Sequence, residues 1–328
     1  MTTFHYQLTA SDDVNDHADS LSQWDQQYEQ VSAGRFEGRL EDLWLGPVQV
    51  FRESTGRAVL QRGAPCPHTL TLATPVGSGP NEAWFCGRRI GPQQAFGLVS
   101  HSEFELATRG PFDIVAIGIN REFLDAYSQR VDGVQFLGAL AQNDVLDGAV
   151  DANDSLRTLL LATLATARDT PQLLAQDAAR RALVQSLCDA LMGRFGELQP
   201  LAGAADITAA VTASTRQRVV REARRYMRDK ADEPISVPEL CEAIHVSRRT
   251  LQYSFQDVLQ MSPVTYLRAL RLNGVRRDLK RAGDEPVADR AARWGFWHQS
   301  RFAADYKHLF GELPSETLRQ ARGLTGMH

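Results

Sequence analysis

The chain has 328 residues, enough for two domains of ordinary size, and its 43% hydrophobic and 23% charged residues are typical of a globular protein in water. No apolar run approaches the roughly 18 residues that a membrane-spanning helix needs. The first 20 residues lack the basic and apolar regions of a secretory signal. The net charge of −4 would by itself argue against nucleic acid as a partner.

The charge is unevenly distributed along the chain. From Thr212 to the C-terminus there are 21 basic and 14 acidic side chains, whereas the preceding 211 residues carry 15 basic and 26 acidic ones. Such asymmetry predicts that the C-terminal part binds a polyanion and that the acidic part does not itself lie on DNA.

The four cysteines, Cys66, Cys86, Cys188 and Cys241, form no CxxC pair. This spacing argues against a zinc ribbon and against a disulfide framework. We therefore expect free thiols and a cytoplasmic location, without a membrane partner.

The first 20 residues are predicted to be a polar, partly disordered lead-in, and residues 35–120 are predicted to be rich in β-strands. The stretches VQVFRES at 48–54 and FDIVAIGIN at 112–120 carry β-branched and aromatic residues, and Gly/Pro-rich turns separate such runs. Many short strands of this kind predict a sandwich or a barrel, and a barrel could hold a small ligand in its interior.

Residues 121–198 are predicted to be helical, because apolar residues recur there at intervals of three and four. One such stripe consists of Ala182, Leu183, Ser186, Leu187, Ala190 and Leu191. Two interpretations stay open: the helices pack against the β-rich region, or they form a dimer interface. Residues 1–200 would then be an effector-sensing and dimerisation domain.

Residues 201–215 are rich in Ala and Thr and almost uncharged, so they are predicted to be an interdomain linker. Residues 216–328 follow as the predicted DNA-binding domain. Its first helix-turn-helix pattern lies in ISVPELCEAIHVSRRTLQYSFQDVLQ. Ser236 and Ser247 are expected to cap its two helices, because a serine at this position can satisfy free backbone N–H groups.

Helical spacing divides the side chains of this first pattern into two faces. The residues expected to point inward are Leu240, Ala243, Ile244, Leu251, Phe255 and Leu259. The residues expected to point outward are Arg248, Arg249, Gln252 and Gln256. Arg and Gln can form paired hydrogen bonds with guanine and adenine, so this outer face is suited to reading base edges.

The same plan recurs in the stretch VADRAARWGFWHQSRFAADYKHLF. Its inward residues are expected to be Val287, Ala288, Ala291, Ala292, Trp294, Phe302, Tyr306 and Leu309, with Gly295 and Phe296 at the corner. Its outward residues are expected to be His298, Gln299, Arg301 and Asp305. A single long helix over residues 263–282 is predicted to join the two units despite Gly274, and its Arg276 and Lys280 are expected to contact phosphates.

Residues 222–320 resemble the DNA-binding domain of the AraC/XylS family. The resemblance rests on A-x-x-W-G-F at 291–296, on Phe302, Tyr306 and Phe310, and on Gly311 and Pro314. Ala304 departs from the pattern, since many members carry a basic residue there. Motifs such as HVSRRTLQYSF and WGFWHQSRFAADYKHLF, with shorter N-terminal ones such as GRFEG, are similar to the branch that regulates ethanolamine-utilisation operons.

The resemblance implies a cytoplasmic transcription activator that acts with RNA polymerase. It also implies a cupin-like N-terminal domain that senses a small molecule, ethanolamine together with adenosylcobalamin in that branch. DNA binding itself is expected to need no cofactor. The fold class is thus α+β: a cupin-like β domain with following helices, and an all-α C-terminal domain with two helix-turn-helix units.

An ammonium effector would need a carboxylate and an aromatic face. The residues of the β-rich region that offer such groups are Trp44, Arg52, Glu53, Trp84, Glu103 and Glu105. The alternative for each is an ordinary core aromatic or a surface charge.

The alternative function is a cupin-type metal enzyme fused to a helical domain. A metal site would need about three clustered His or carboxylate ligands, and the β-rich region has only His68 and His101. No nucleophile elbow or phosphate-binding loop is present, so we expect no metal, no catalytic residue and no enzymatic activity.

Overall fold

The computed structural model describes residues 4–77, 82–99, 103–131, 145–146, 150–196, 207–233, 235–281 and 283–325. These residues form two compact units. The first comprises residues 1–28, 37–56 and 60–202, and the second comprises residues 29–36, 57–59 and 203–328. Within the described ranges, no helix is both long and apolar enough to cross a membrane.

The β-strands form two antiparallel sheets. The larger sheet has the order β1-β3-β4-β11-β6-β9-β12, and the smaller has the order β2-β5-β10-β7-β8. The bounds are β1 Phe4–Ser11, β2 Asp25–Gln30, β3 Gly38–Leu45, β4 Val48–Thr55, β5 Val59–Ala64, β6 Thr69–Pro75, β7 Ala83–Phe85, β8 Arg88–Ile90, β9 Ala95–Val99, β10 Phe104–Thr108, β11 Phe112–Asn120 and β12 Val145–Leu146.

The first unit has two hydrophobic cores, and side chains that alternate along a strand contribute to one or the other. On β4, Val48 and Val50 belong to a core on the outer face of the larger sheet, whereas Phe51 belongs to the core between the sheets. Successive side chains of a strand point to opposite faces, so one strand contributes to both cores.

Among the residues that the structure describes, five helices accompany the sheets: α1 Val14–Ser20, α2 Arg121–Val131, α3 Val150–Asp169, α4 Pro171–Leu174 and α5 Asp177–Gly196. Leu187 and Leu191 of α5 share a core cluster with Val115 and Ile117 of β11. This face of the helix therefore packs against the larger sheet, as the first of the two interpretations expected. Two members of the predicted stripe, Ala182 and Ser186, are instead exposed.

Residues 4–20 form a strand and a helix rather than a partly disordered lead-in, so that expectation was wrong for these residues. Strand β1 pairs with β3 from Phe4 to Ser11. Helix α1 follows directly, because the carboxylate of Asp13 accepts hydrogen bonds from the backbone N–H groups of Asn15 and Asp16 (2.8 and 3.1 Å).

The second unit is built mainly from helices, whose bounds are α6 Ile207–Asp229, α7 Val237–Ala243, α8 Arg248–Leu259, α9 Pro263–Lys280, α10 Val287–Arg293, α11 Gln299–Phe310 and α12 Pro314–Thr325. Helix α6 begins inside the stretch predicted as a linker, so residues 207–215 are helical. Alanine has the highest intrinsic helix propensity, so the Ala-rich composition of these residues favours a helix rather than a linker. Residues 201–206 lie outside the described residues.

Residues 29–36 also belong to the second unit, which is therefore larger than the predicted domain of residues 216–328. The buried side-chain amide of Asn273 on α9 pairs with the backbone of Gln30, accepting from its N–H (3.1 Å) and donating to its carbonyl oxygen (2.9 Å). The Gln30 side chain in turn donates to the carbonyl oxygen of Leu309 (2.6 Å). These bonds satisfy polar groups that would otherwise be buried without partners.

Helix α9 is the predicted connecting helix, and its glycine has a packing role. A Cβ atom on Gly274 would lie 2.5 Å from the Trp294 ring, which immediately follows α10. The missing side chain lets the indole pack against the helix backbone, and the indole N–H donates to Asp278 on the same helix (2.8 Å). The close approach of α10 to α9 depends on this glycine.

We expect Gly274→Ala to lower the free energy of unfolding by about 1–3 kcal/mol, because the new methyl group would overpack the Trp294 ring. Chemical denaturation of the full chain measures this. The matched control is Gly323→Ala on α12, where a Cβ meets no atom within 4 Å. An alanine should stabilise that helix by about 0.5–1 kcal/mol. Equal effects of the two substitutions would contradict the packing role.

Candidate nucleic-acid interface and effector cavity

In the first helix pair, α7 and α8, each helix begins directly after a predicted serine cap. The Ser236 hydroxyl accepts from the N–H of Glu239 (3.2 Å), and the Ser247 hydroxyl accepts from the N–H of Thr250 (3.1 Å). Between the helices the chain turns at His245, which adopts a positive φ of 53°. Both predicted caps are confirmed.

The inner face of this pair is largely as predicted. Leu240, Leu251, Phe255 and Leu259 are buried. Ile244 is half-buried, and Ala243 is exposed rather than inward, because α7 ends at that residue. The four residues predicted to face outward are all exposed: Arg248, Arg249, Gln252 and Gln256.

The second helix pair, α10 and α11, turns at Gly295, which has a φ of 81°. Phe302, Tyr306 and Leu309 of α11 are buried, and Phe296 packs against Phe302 with ring centroids 5.2 Å apart. Burial raises the pKa of Tyr306 to about 12. The predicted inner residue Ala288 is exposed, since it lies in the first turn of the short helix α10.

The outer face of α11 presents His298, Gln299 and Arg301, all of which are exposed. Asp305 was predicted to face outward as well, but it is half-buried and forms an ion pair with Arg268 of α9. Arg268 draws Asp305 onto the connecting helix, which removes this carboxylate from the outer face.

The arginines of the second unit differ in their surroundings: some are exposed and form ion pairs, as Arg293 does with Glu285, some are exposed without an ion pair, and some are buried. Arg248, Arg249 and Arg301 form no ion pair with any other described residue, so their charges are available to a partner. Three others are buried: Arg224, Arg276 and Arg290.

The buried Arg276 contradicts the expected phosphate contact on the connecting helix. Its guanidinium lies 2.9 Å from the carboxylate of Glu312, and it stacks 4.6 Å from the centre of the Phe310 ring. On the α-helical repeat, Arg276 falls on the same face as Leu272 and Leu279, which point into the core. It is therefore a packing residue. Lys280 is half-buried.

The first unit encloses a cavity of about 30 Å³ between its two sheets. The lining is mostly aromatic and apolar, and Glu53, Gln61 and Thr71 are its polar members. The hydroxyl of Thr71 is buried and has no hydrogen-bond partner among the described residues. The aromatic members are Trp24, Phe51, Phe85, Phe96 and Phe104.

Glu53 is the one predicted effector residue that lines this cavity. Its carboxylate accepts a hydrogen bond from the hydroxyl of Tyr28 and lies 3.1 Å from the Nε2 atom of His17. Burial, followed by the nearby Glu53 charge, raises the pKa of Tyr28 well above its ordinary value. The tyrosine therefore stays a hydrogen-bond donor to the carboxylate.

The other predicted effector residues are engaged elsewhere. Arg52 pairs with Asp113 through two hydrogen bonds (2.6 and 3.0 Å), and the indole of Trp44 donates to Asp42 (3.1 Å). The guanidinium of Arg109 covers the Trp84 ring at 4.1 Å. Glu103 is exposed and Glu105 is half-buried.

Because side chains alternate between the two faces of a β-strand, the sequence could have shown which of these residues point away from the core between the sheets. Phe104 and Phe85 point into the core between the sheets, so their neighbours Glu103, Glu105 and Trp84 point away from it. Selection by residue type alone missed the aromatic lining, because nothing in a single phenylalanine distinguishes a cavity wall from a packed core.

No cluster of three or more His, Cys, Asp or Glu side chains that could hold a metal ion occurs among the described residues. His101, one of the two histidines considered from the sequence, lies outside them.

The helical region is similar to known regulators. Residues 240–320 match the family described as "Helix-turn-helix domain". The "Probable thc operon regulatory protein" of Rhodococcus erythropolis is 42% identical over 103 residues, which make up 31% of each chain. The "XylDLEGF operon transcriptional activator 3" of Pseudomonas putida is 34% identical over 108 residues, 32% of this chain and 31% of that protein.

Among solved structures, a crystal structure of "a probable AraC family transcriptional regulator" from Rhodopseudomonas palustris is 31% identical. The match covers 32% of this chain and 97% of that chain, with a TM-score of 0.31. The matched region spans less than a third of the length of the two curated relatives. The C-terminal region thus resembles AraC/XylS-type regulators, as the sequence predicted. The absence of enzymatic activity stays a prediction from the sequence.

The buried ion pair of the second unit gives a stability prediction. Arg276→Ala should lower the free energy of unfolding by about 3–5 kcal/mol, because it leaves the Glu312 carboxylate partly buried without its cation. Chemical denaturation measures the loss. The double variant Arg276→Met, Glu312→Gln should recover part of it, since no charge is then left unpaired. A phosphate-contacting Arg276 would instead give normal stability and a reduced salt dependence of DNA binding.

Proposed function

We propose that the chain is a sequence-specific DNA-binding transcriptional regulator, of the activator type, that reads DNA with two helix-turn-helix units. The units are the helix pairs α7–α8 and α10–α11. One observation carries the proposal. In both pairs the second helix begins with exposed Arg, Gln or His side chains, and its opposite face is buried and contains aromatic residues.

The position of these side chains suits base recognition. In helix-turn-helix proteins, residues at the N-terminal end of the second helix reach base edges in the major groove. Arg248, Arg249 and Gln252 lie there on α8, and His298, Gln299 and Arg301 lie at the corresponding end of α11. Arg forms paired hydrogen bonds with guanine, and Gln does so with adenine. Two such helices on one connecting helix can enter successive major grooves, about 34 Å apart on one face of DNA.

The proposal extends to an effector in the first unit, for which we infer a cupin-like fold. A small primary amine suits the cavity between the sheets, because the Glu53 carboxylate can pair with an ammonium group and aromatic rings attract cations. The free hydroxyl of Thr71 offers a hydrogen bond to a second polar group. Ethanolamine, which the sequence resemblance implies, has both an ammonium and a hydroxyl group.

The cavity sets a limit on the effector. A volume of about 30 Å³ holds only a few non-hydrogen atoms unless the lining moves. Adenosylcobalamin is far larger, so a cobalamin effector would need another surface. Four properties stay predictions from the sequence: the binding of a cobalamin, a homodimer, contact with RNA polymerase and a cytoplasmic location.

The DNA proposal predicts two kinds of loss. The full-length chain should select a preferred duplex from a random library, and its log K should fall with log[salt] by several units because it contacts several phosphates. Arg249→Ala or Gln299→Ala should weaken binding to the selected duplex by about 1–3 kcal/mol and relax the preference at one base position. A competition titration against selected and scrambled duplexes measures both effects.

Two results would count against this assignment. A flat salt response, or no preferred duplex, would exclude the proposed function. If each substitution lowered the affinity for both duplexes by the same factor, the two residues would be phosphate contacts rather than base contacts. Gln185→Ala, at an exposed position of α5 in the first unit, is the control that should change neither affinity.

The effector proposal predicts a thermal shift. Ethanolamine at 100 times its Kd should stabilise the full chain by about 2.7 kcal/mol, since it binds only the folded state. Ethylene glycol, which has the hydroxyl but no ammonium group, should give no shift. Glu53→Gln should abolish the ethanolamine-dependent shift whatever its own stability, whereas Glu122→Gln, at an exposed position, should keep it. An undiminished shift in Glu53→Gln would place the amine elsewhere.

A further inference from the structure

The side chain of Trp297 is 77% exposed, a larger fraction than for any other large hydrophobic side chain that the structure describes. Leaving an indole in water forfeits the stabilisation that its burial would give, roughly 25 cal/mol for each Å² of apolar surface. The adjacent aromatic residues Trp294 and Phe296 are at least half-buried. Trp297 therefore needs an explanation other than the packing of its own unit.

Comparison of the two helix pairs shows that Trp297 is an additional residue. In both pairs, the turn contains one residue of positive φ, His245 in the first and Gly295 in the second. In the first pair, one residue, Val246, lies between the residue of positive φ and the cap residue Ser247. The second pair has both Phe296 and Trp297 before the cap residue His298, so Trp297 has no counterpart in the first.

The corner that carries Trp297 is held in place on both sides. The N–H of Phe296 donates to the carbonyl oxygen of Ala291 (3.0 Å), and the N–H of Gly295 donates to that of Ala292 (2.9 Å). The Phe296 ring packs on Phe302 of α11. The indole is thus presented from a fixed position directly before the helix that we propose reads DNA.

Trp297 lines a groove of about 310 Å³ together with three arginines, Arg268, Arg271 and Arg301. The Nε atom of Arg268 is buried and has no hydrogen-bond partner among the described residues. The rest of the lining is mainly apolar, with Leu240, Val264, Leu267 and Phe302 among its members. Arg268 is paired with Asp305, and Arg271 donates to the backbone carbonyl oxygen of Ala231 (2.9 Å), so Arg301 is the groove arginine that forms no ion pair with another described residue. A partner for this groove should therefore present a negative group near Arg301 together with apolar surface.

DNA has both properties at this position. The thymine C5-methyl is the apolar group that base pairs present in the major groove, and the phosphates on either side supply negative charge. Trp297 is next to His298 and two residues from Gln299, which we place at base edges. Arg301 of the groove lies on the first turn of α11, directly after this corner, whereas Arg268 and Arg271 lie on α9.

We propose that Trp297 is a specificity-determining DNA contact whose indole packs against a thymine methyl group at the edge of the site read by α11. This inference rests on the proposed function, and it assigns a base preference to a residue outside the reading helix. Trp297→Ala should weaken binding to the selected duplex roughly tenfold, with little change for a scrambled duplex.

The decisive experiment replaces thymines of the selected duplex one at a time by uracil, which lacks only the methyl group. The full-length wild-type chain should lose affinity about fourfold at one position in the α11 half of the site, the factor expected for burying one methyl group. Trp297→Ala should be insensitive to uracil at that position. Trp297→Phe, which keeps an aromatic face, should retain a reduced response, and Leu8→Ala, which removes an exposed apolar side chain of β1, should behave as wild type.

The outcomes separate the two levels of the proposal. A wild-type chain with no preferred duplex overturns the proposed function itself. A wild-type chain that prefers its duplex, together with a Trp297→Ala variant that keeps full affinity or still responds to the same uracil, overturns only the role of Trp297. Unchanged DNA affinity with a loss of transcription in a purified system would assign the indole to a protein partner and would also overturn it.

Discussion

The packing of Trp294 against the bare backbone of Gly274 fixes the second helix pair to the connecting helix α9. The neighbouring positions of α9 bind other parts of the same unit. Asn273 pairs with the backbone of Gln30, and Arg276 pairs with Glu312, two residues before the start of α12. Less than one turn of α9 therefore contacts Gln30, the second helix pair and the segment before α12. Because interiors are close-packed, a shift of α9 at this turn would be felt by every element that it holds.

The packing of the second unit shows that not all of its positive charge is available to bind a polyanion. Counting charges along the chain predicts a polyanion-binding half, but three of its arginines serve the core. Arg290 donates to the carbonyl oxygens of Gly283, Glu285 and Arg281 (2.9, 3.2 and 3.2 Å) and so satisfies groups near the C-terminal end of α9. Exposed arginines without an ion pair to another described residue lie on α8 and at the start of α11, and also on α6 (Arg221 and Arg225) and on α12 (Arg319). A DNA interface is better judged from exposed, unpaired arginines than from net charge.

Features of the fold that follow from local sequence patterns could be predicted, whereas contacts between residues distant in sequence could not. The serine caps and the buried residues at three- and four-residue spacing follow from local rules, and the structure has them where expected. Arg276 and Arg290 also lie on the buried stripes of their helices, so periodicity indicated their burial more correctly than their charge did. By contrast, the pairing of Asn273 with Gln30 joins residues 243 positions apart, and no local pattern encodes it. The first strand was missed because an edge strand with one wet face needs few apolar residues.

The two helix pairs share one plan but differ at the surface that the proposed function uses. Helix α8 begins at a serine whose hydroxyl caps the helix, followed by two arginines. Helix α11 begins at His298, which makes no side-chain capping bond, and the exposed Trp297 precedes it. Two unlike surfaces joined by one rigid helix would read two unlike half-sites in a fixed order. A single chain would therefore recognise an asymmetric sequence and bind it in one direction only. Dimerisation is then not needed for specificity, and a second copy of the chain would serve to raise affinity through a second site rather than to complete the first.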